Sequence, residues 1–578
     1  MSLFDSASIV VTPNAYKASK LYAIKPTDGS GDLTVVRATS ATRVDSNGLI
    51  EIPRTNLTQR SEDFSNGYWV KTNSDITSNT AIAPDGNLTA DTFSDRVLTS
   101  QTYVLSRNQS YTSGTAYTSS FFAKNLNRRY VYMRFVSSVF TTNKYVFFDL
   151  QLGTIISVSS GVTAEIINYG NGWFRCIATS TASSTTTTTN GVFIGLSDNG
   201  VNVSYTNPSV KSIYIWGAQL QVGNAATEYI PTTSSIRTKF AGIIQDGSSA
   251  SNIPRLDYSN GSCPSILVEP QRTNLVLYSE QFDNASWSLG LSATIAANTS
   301  ISPDGTQNAD TLTLINAATS RIQQTITATS STYTISIYAK SNVSKKFRFR
   351  IITSGTSQIS NDFTTSNVWQ RYSFTFTSDI VRIEIINDSL AVAGSLDIWG
   401  AQLEAGANAT SYIPTTTASV TRNADVISKT SATDLIGQTE GTLYAEVNFT
   451  ASNLSDRTIV NLSDNTTANW IFIRTSATVP NGIRFRIANG GSLQFDYNSS
   501  AKSTGVHKLC LSYKLNNISV YIDGVKVNSS TTATIPATSK INIGCMHDNT
   551  LQFNDRIKSA LLFKTQLTDA ECIALTTI

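Results

Sequence analysis

The sequence has 578 residues and a formal net charge of +3, and only 14% of its residues are charged. Acidic and basic residues are interspersed without a basic stripe, so we expect no nucleic-acid partner. No run of 18 apolar residues occurs, which argues against membrane insertion by a helix. The five cysteines are scattered and odd in number, so reduced, buried thiols are expected rather than a disulfide framework.

Residues 1–50 form a segment rich in Ser, Thr and Asp that has no regular apolar pattern. The segment has too few large apolar side chains for a core of its own, but it contains one apolar set. The members of this set are Ile9, Val10, Val11, Tyr16, Leu21, Tyr22 and Ile24. An exposed patch of this kind is unusual in a soluble protein. We therefore predict an N-terminal attachment segment that buries the set against another protein or against sister copies.

Two stretches, 51–235 and 269–418, carry the same motifs in the same order. In the first stretch, PRTNLTQRSEDFSNGYW and APDGNLTADTF match QRTNLVLYSEQFDNASW and SPDGTQNADTL of the second stretch. The hexapeptide IWGAQL occurs in both. Shared motifs in a fixed order indicate a duplicated domain. The motifs lie further apart in the first copy, which indicates extra loop residues there. Residues 236–268 between the copies are predicted to be a linker.

Each copy has the pattern of short β-strands. Segments such as YTSSFFAK, KYVFFDL and KSIYIWGAQL are rich in β-branched and aromatic residues and are separated by Gly, Asn and Asp. The PDG tripeptides are turn signals, because Pro fixes φ and Gly allows positive φ. We predict an all-β protein with two tandem jelly-roll β-sandwiches. Trp216 and Trp399 should occupy equivalent, mostly buried positions in the two copies.

Residues 419–578 do not repeat this pattern but again predict antiparallel strands. GTLYAEVNF, NWIFIRTS, GIRFRIA and HKLCLSYKLNNISVYIDGVKV are the main segments, with NN and DG as hairpin turns. A short helix is predicted near residue 570, with Thr568 as its N-cap and Glu571 completing a capping box.

Two repeated residue types are candidate ligand contacts. Trp216 and Trp399 could stack on sugar rings, but a tryptophan in the middle of a strand among Ile and Leu normally fills a core. Arg54 and Arg272 in the repeated Arg-Thr-Asn-Leu could bind an acidic sugar. The interpretation we favour is structural, with each arginine on the first strand of its domain donating to loop carbonyls. The ligand-binding residues are left unassigned.

No catalytic or metal constellation is evident in the sequence. Asp397 and Glu404 flank the second IWGAQL, but nothing marks them as a glycosidase pair. His507 and His547 fit no triad or metal-ligand spacing, and a satisfied surface histidine is expected at His507. We predict no enzyme, no transition metal and no cofactor. Loop-bound calcium is left open at Ser197–Asn199 and Ser463–Asn465, although such loops are usually turns.

The motifs RATSATRVDSNGLIE, NIPRLDYSNGSCPSILVEPQRTNL, SPDGTQNADTL and IWGAQLEAG resemble modules of bacteriophage tail-fibre and other virion surface proteins. These modules are similar to carbohydrate-binding-module jelly rolls. VYIDGVKV and LLFKTQLTDAE in the C-terminal region resemble a concanavalin A or laminin G-like sandwich.

This resemblance implies a structural protein of the virion surface, made in the host bacterial cytoplasm. A tail fibre, a head fibre or a capsid decoration are the forms it implies, with attachment to host-surface polysaccharide as the function. Residues 1–50 would contact other virion proteins, and a homo-oligomer such as a trimer is left open. Two alternatives are a glycan-degrading tail spike and a purely structural fibre or decoration protein without a ligand.

Overall fold

The computed structural model describes residues 3–189, 191–290, 292–317, 320–452 and 454–578, with the backbone alone at 187–189. Within these ranges the chain is almost entirely strands and loops. The described helices are short: α1 Leu3–Ser6, α2 Ser137–Phe140 and α3 Asp569–Thr576. None of the three has the length and apolar character needed to cross a bilayer. The prediction of an all-β protein is confirmed.

The first 51 residues contain six short strands. They are β1 Ile9–Val11, β2 Tyr16–Lys17, β3 Lys20–Leu21, β4 Leu33–Val36, β5 Arg43–Val44 and β6 Ile50–Glu51.

The first repeat is a sandwich of two six-stranded sheets, in the orders β17-β18-β13-β21-β10-β9 and β16-β15-β14-β20-β11-β8. Its strands are β7 Arg54–Asn56, β8 Val70–Thr72, β9 Ser74–Ala81, β10 Ala90–Asp95, β11 Val104–Ser106, β12 Gln109–Tyr111, β13 Ala116–Asn125, β14 Tyr130–Phe135, β15 Lys144–Asp149, β16 Thr154–Val158, β17 Thr163–Gly170, β18 Trp173–Thr181, β19 Thr186–Thr189, β20 Val192–Ser197 and β21 Ser212–Val222. Phe, Tyr, Val and Ile side chains from both sheets fill the space between them.

The connection between the repeats contains four strands: β22 Arg237–Phe240, β23 Ile243–Asp246, β24 Leu256–Asp257 and β25 Ser265–Val268. β22 pairs with β7, the first strand of the preceding repeat. β25 pairs with a strand near the C-terminus of the sequence. The region predicted as a linker therefore contributes paired strands to the first repeat and to the sheet that contains this C-terminal strand.

The second repeat contains β26 Arg272–Asn274, β27 Ser288–Gly290, β28 Thr294–Ser300, β29 Ala309–Leu314, β30 Arg321–Lys340, β31 Lys346–Ile352, β32 Ser357–Ile359, β33 Phe363–Thr364, β34 Gln370–Asn387, β35 Gly394–Ala405 and β36 Val420–Arg422. Two of them, β30 and β34, are long strands that pair with each other along most of their length. Register shifts near Ala328 divide this pairing into two halves, one in each layer of the sandwich.

The two repeats have the same strand order. The order β28-β29-β35 followed by the second half of β30 and the first half of β34 corresponds to β9-β10-β21-β13-β18 of the first repeat. The other layer corresponds in the same way. The strands β14-β20-β11-β8 of the first repeat match, in order, β31, the second half of β34, the first half of β30 and β27. The first repeat has β16 and β17 in addition, where the sequence predicted extra loop residues. The predicted duplication is confirmed at the level of topology.

The C-terminal domain is a sandwich built from β37 Val426–Lys429, β38 Glu440–Phe449, β39 Thr458–Ser463, β40 Trp470–Thr475, β41 Ile483–Asn489, β42 Ser492–Asn498, β43 Gly505–Lys514, β44 Asn517–Ile522, β45 Val525–Ser530, β46 Lys540–Ile543 and β47 Asp555–Phe563. The hairpin turns between β43, β44 and β45 are Leu515–Asn516 and Asp523–Gly524, so the turn predicted at the two asparagines lies one residue earlier. Thr568 caps α3 in the predicted capping box with Glu571.

The N-terminal segment belongs to this C-terminal sandwich. β1 pairs with β47, with Ile9 opposite Leu562, and β4 pairs with β37. Ile9, Val11 and Leu21 lie in the same core as the C-terminal strands and are at most 1% exposed. The prediction that this apolar set is buried against another protein or against sister copies is wrong for Ile9, Val10, Val11 and Leu21, because this chain buries them itself; Tyr16, Tyr22 and Ile24 are half-buried.

Four of the five cysteines are buried free thiols, as predicted. The exception is Cys263, which is exposed in the turn between β24 and β25. Turn residues pack on one side only, so a small apolar side chain placed there stays in contact with water.

A buried polar junction joins three parts of the chain. It consists of Arg37, Arg255, Glu269, Arg422 and Asp425, all at most 4% exposed. Asp425 accepts hydrogen bonds from Arg37 at 2.7 Å and from Arg255. Glu269 accepts from Arg255 at 2.6 Å and lies 2.8 Å from Arg422. The N-terminal segment, the connection and the chain from Arg422 to Asp425, between β36 and β37, are therefore held together by charges that have no access to water.

Candidate functional site

The repeated IWGAQL hexapeptide builds a β-bulge beneath an aromatic cluster. Gly217 and Gly400 have φ values of +63° and +66°, and the strand register shifts beside them. Glycine adopts this left-handed conformation without a steric penalty. Trp216 and Trp399 are 4% and 0% exposed, and each packs on a tyrosine with ring centroids 4.7 Å apart. Their predicted equivalence and burial are confirmed, so the motif is structural and neither ring is available to a sugar.

The repeated arginines hold loops and domains together. Arg54 donates to Asp304 of the second repeat at 2.7 Å, so it bridges the two copies. Arg272 lies 3.7 Å from Glu404 within its own repeat. Both lie on the first strand of their repeat, as predicted, but Arg54 pairs with a carboxylate where a loop carbonyl was expected.

The two carboxylates that flank the second hexapeptide have separate partners. Asp397 accepts a hydrogen bond from the Thr311 hydroxyl at 2.7 Å. Glu404 is fully buried and accepts from the backbone N–H and the hydroxyl of Thr410, at 2.8 and 2.6 Å. Each carboxylate fixes a local loop or strand, and no contact joins the two.

The histidines occupy structural positions. His507 has its Nδ1 2.8 Å from the Asp523 carboxylate and its Nε2 3.0 Å from the Ser503 carbonyl. At 6% exposure it is satisfied but buried, whereas a surface position was expected. His547 is 8% exposed. In the described part of the chain, no three His, Cys, Asp or Glu side chains are arranged to hold a metal ion.

The two loops considered for calcium use their side-chain oxygens in turns. The Asn199 side-chain carbonyl accepts from the backbone N–H groups of Val201 and Asn202. Asp464 accepts from the backbone N–H of Thr466 at 2.9 Å. These contacts are the ordinary pattern of Asx turns. Loop-bound calcium stays a prediction.

A groove with a volume of about 650 Å³ lies where the two repeats meet. Glu165, Thr179 and Asn224 of the first repeat line it together with Asn298 and Gln307 of the second. Asn224 donates to the Asn298 side chain at 3.1 Å across the contact. None of the described lining residues is aromatic, so the groove offers no ring on which a sugar could stack.

The outer face of the C-terminal nine-stranded sheet carries a different arrangement, which we call the Trp470 face. It consists of Trp470, Phe472, Arg474, Arg484, Arg486 and Asp496 on three adjacent strands, β40, β41 and β42. The Trp470 and Phe472 rings stack with centroids 4.7 Å apart and an interplanar angle of 18°. Phe472 is 1% exposed, whereas Trp470 is half-buried and leaves part of its ring open.

Charged side chains surround these two rings. The Arg486 guanidinium lies 5.6 Å from the Trp470 ring centroid, and Arg474 lies 4.7 Å from that of Phe472. Arg484 holds Asp496 in a two-pronged pair at 2.8 and 2.6 Å. Burial alone would raise the pKa of Asp496, but the hydrogen bond from Arg484 and the charge of Arg486 lower it below its ordinary value. The carboxylate is therefore an ionised acceptor at neutral pH, 3.3 Å from the Arg486 guanidinium.

Strand alternation produces the Trp470 face. Ile471 and Ile473 point into the core and are fully buried, so their neighbours on β40 point outward. The segments NWIFIRTS and GIRFRIA carry this alternation in the sequence, and both were predicted to be strands. The face was missed because the register that brings Trp470, Arg486 and Asp496 together depends on pairing between strands.

Such a face combines the groups that recognise sugars. An exposed aromatic ring packs against the C–H face of a pyranose, and paired guanidinium and carboxylate groups exchange hydrogen bonds with hydroxyls. Because the groups lie on three paired strands of a rigid sheet, they need little ordering when a ligand binds.

A protein-family model matches the C-terminal region. The model of the concanavalin A-like lectin/glucanases superfamily, Laminin_G_3, matches residues 417–572. The C-terminal domain is therefore concanavalin A-like, as predicted from VYIDGVKV and LLFKTQLTDAE. Comparison of the sequence with curated proteins finds no match.

Several solved structures are similar at low identity. The CBM40 module of the Ruminococcus gnavus IT-sialidase bound to α2,3-sialyllactose is 14% identical, with 25% of this chain and 84% of that chain covered and a TM-score of 0.22. The tandem CBM22 domains of Paenibacillus barcinonensis Xyn10C are 9% identical, covering 61% and 98%, with a TM-score of 0.22. Mouse laminin α1 domains LG4-5 are 9% identical, covering 44% and 91%, with a TM-score of 0.19. Similarity at this level says nothing about ligands.

Proposed function

We propose that this chain is a non-enzymatic glycan-binding protein of the bacteriophage virion surface, a fibre or a head or tail decoration. The observation that carries the glycan-binding part is the Trp470 face on a concanavalin A-like domain. The virion part depends on the resemblance of the repeats to phage surface modules. Host-surface polysaccharide is the ligand class that fits both.

In this proposal a sugar ring stacks on the open side of Trp470. The Phe472 ring, two residues further along β40, stacks against the Trp470 ring. The indole therefore cannot rotate away without losing this stacked contact. Arg484 on the adjacent strand β41 and Asp496 on β42, the next strand, offer donors and an acceptor to the sugar hydroxyls. Stacking supplies affinity, and the charged pair selects the orientation of the hydroxyls.

Binding of purified full-length protein to host polysaccharide tests this proposal. We expect Trp470→Ala to weaken binding at least about tenfold, since a single central aromatic contact commonly contributes that much. Trp369→Ala is the matched control, because Trp369 is a half-buried tryptophan in the second repeat whose Nε1 donates to the Ile301 carbonyl at 2.9 Å. Equal binding by wild type and Trp470→Ala would refute the site. Release of reducing ends from the polysaccharide would refute the non-enzymatic assignment.

We still propose that residues 1–50 contact other virion proteins, but through side chains that lie outside the buried apolar set. Phe4, Val36 and Leu49 are 45%, 49% and 38% exposed and are available to a partner. Replacing all three with serine should reduce incorporation into particles while the protein stays folded. Unchanged incorporation would place the virion contact elsewhere. Deleting the segment is not a suitable test, because its strands belong to the C-terminal sandwich.

A further inference from the structure

The second repeat presents a cluster of arginines on one outer sheet face. Arg321, Arg350 and Arg382, which we call the arginine face, converge on the single buried carboxylate of Glu384. Arg382 Nε lies 2.7 Å and Arg321 Nε 3.6 Å from the carboxylate, and Arg350 donates to it directly. The exposed fraction of the side chain is 21% for Arg321, 19% for Arg350 and 31% for Arg382, so part of each arginine also reaches solvent.

The fold itself does not require this charge. Ile194 and Ile385 hold equivalent positions in the two repeats, because each pairs with core residues of both neighbouring strands. One residue earlier, the first repeat has Phe193 where the second has Glu384. In the first repeat Arg134 stacks on Phe193 at 4.1 Å, so the same surface is largely aromatic. One scaffold therefore carries two different outer surfaces, and the charged one is a property of the second repeat alone.

The arginine face has an excess of positive charge. Three guanidinium groups share one carboxylate, which leaves a formal charge of +2 on this set. Gly290 lies beneath Arg321, where an added Cβ would come within 2.8 Å of the guanidinium carbon. The absence of a side chain at Gly290 lets Arg321 lie flat over the neighbouring strand, where it also donates to Gln323 at 2.7 Å. The guanidinium planes are thus held in fixed positions before any ligand arrives.

We propose that the arginine face binds carboxylate groups of an acidic polysaccharide. A guanidinium fork matches a carboxylate in a two-pronged pair, and fixed, partly desolvated arginines bind such groups best. The cluster spans three adjacent strands and accommodates one or two anionic groups, unlike the long basic track that a nucleic acid needs. This site lies on another domain from Trp470 and stands independently of the function proposed for that residue.

Affinity measurements with polygalacturonate and with its fully methyl-esterified form test this proposal. The two polymers share a backbone and differ in carboxylate charge. We expect the wild-type chain to bind only the charged polymer, with affinity that falls as salt is added. Arg321→Gln with Arg382→Gln should weaken this binding at least about tenfold, since charge-assisted hydrogen bonds are among the strongest. Arg350 stays in place to pair with Glu384, and Arg382→Gln alone serves if the double variant fails to fold.

Two controls separate this site from others. Arg96→Gln removes an exposed arginine that pairs with Asp75 in the first repeat, and it should leave binding unchanged. Trp470→Ala should retain polygalacturonate binding, so this proposal and the one for the Trp470 face can fail separately. The proposal is overturned if the esterified polymer binds equally well, if neither polymer binds, or if the double variant binds like wild type. Tighter binding of single-stranded DNA than of polygalacturonate would also overturn it.

Discussion

Replacing Asp425 with asparagine tests whether the buried polar junction holds the chain together. Asn keeps the shape of the side chain but removes the charge that faces Arg37 and Arg255. Arg255 keeps its pair with Glu269, whereas Arg37 loses its carboxylate partner while fully buried. Breaking a buried ion pair from one side costs about 3–5 kcal/mol of unfolding free energy. We expect a loss of that size.

Amide hydrogen exchange of β1, β4 and β37 measures this loss, because these strands lie in the sheets that the junction adjoins. Asp75→Asn is the matched control, since Asp75 and Arg96 form an exposed pair worth at most about 1 kcal/mol. If Asp425→Asn and Asp75→Asn have equal effects, the reasoning is refuted.

The pH dependence of Asp425→Asn has a definite sign. Burial would raise the pKa of Asp425, but the charges of Arg255 and Arg37 lower it below its ordinary value of 3.8. A carboxylate with a lowered pKa stabilises the folded state above its ordinary pKa and loses that contribution as the pH falls through the folded value. The difference between wild type and variant should therefore persist at pH 5 and narrow below pH 3.8.

Two further predictions concern the repeats. Burial raises the pKa of Glu280 to about 7, so the stability of the folded state should fall as the pH rises from the ordinary value of 4.5 through 7. Burial also raises the pKa of Asp310 to about 7 and that of Asp555 to about 6, so Glu280→Gln should reduce this pH dependence without abolishing it. An unchanged difference between the urea midpoints at pH 5 and pH 8 would contradict the assignment. Gly400 has a φ of +66°, and a Cβ there would come within 3.2 Å of Tyr338. Gly400→Ala should lower the free energy of unfolding by at least about 1–2 kcal/mol. Gly67→Ala, at a position with open space around it, should have almost no effect. Similar melting temperatures of the two variants would count against the role of the bulge.

The repeats could be predicted from the sequence because the residues that they share make buried hydrogen bonds that hold each repeat together. Asn56 and Asn274 each donate to two backbone carbonyls, one in the hexapeptide strand and one near the end of the repeat. Such residues tolerate little change, so they stay recognisable in both copies. The alternation of Ile with polar residues likewise predicted the strands of the C-terminal domain.

The N-terminal strands could not be predicted in this way. β2 and β3 have two residues each and β1 has three, which is too short for a periodic pattern. Their partners lie near the other end of the sequence, as Ile9 opposite Leu562 illustrates. The Trp470 face and the arginine face were missed for a related reason, because each exists only after three strands have adopted a particular register.

The pairing of β1 with β47 also sets an order of events during synthesis. β1 leaves the ribosome well before β47, so the sheet in which these two strands pair is complete only after β47 has been made. The two repeats, each with its own core, can fold while the chain is still growing. Until β47 has been made, β1 is an unpaired strand whose apolar side chains are exposed, and chaperones or neighbouring chains can bind to it. The pairing of β1 with β47 is therefore the step that removes these apolar side chains from water and pairs the free strand edge.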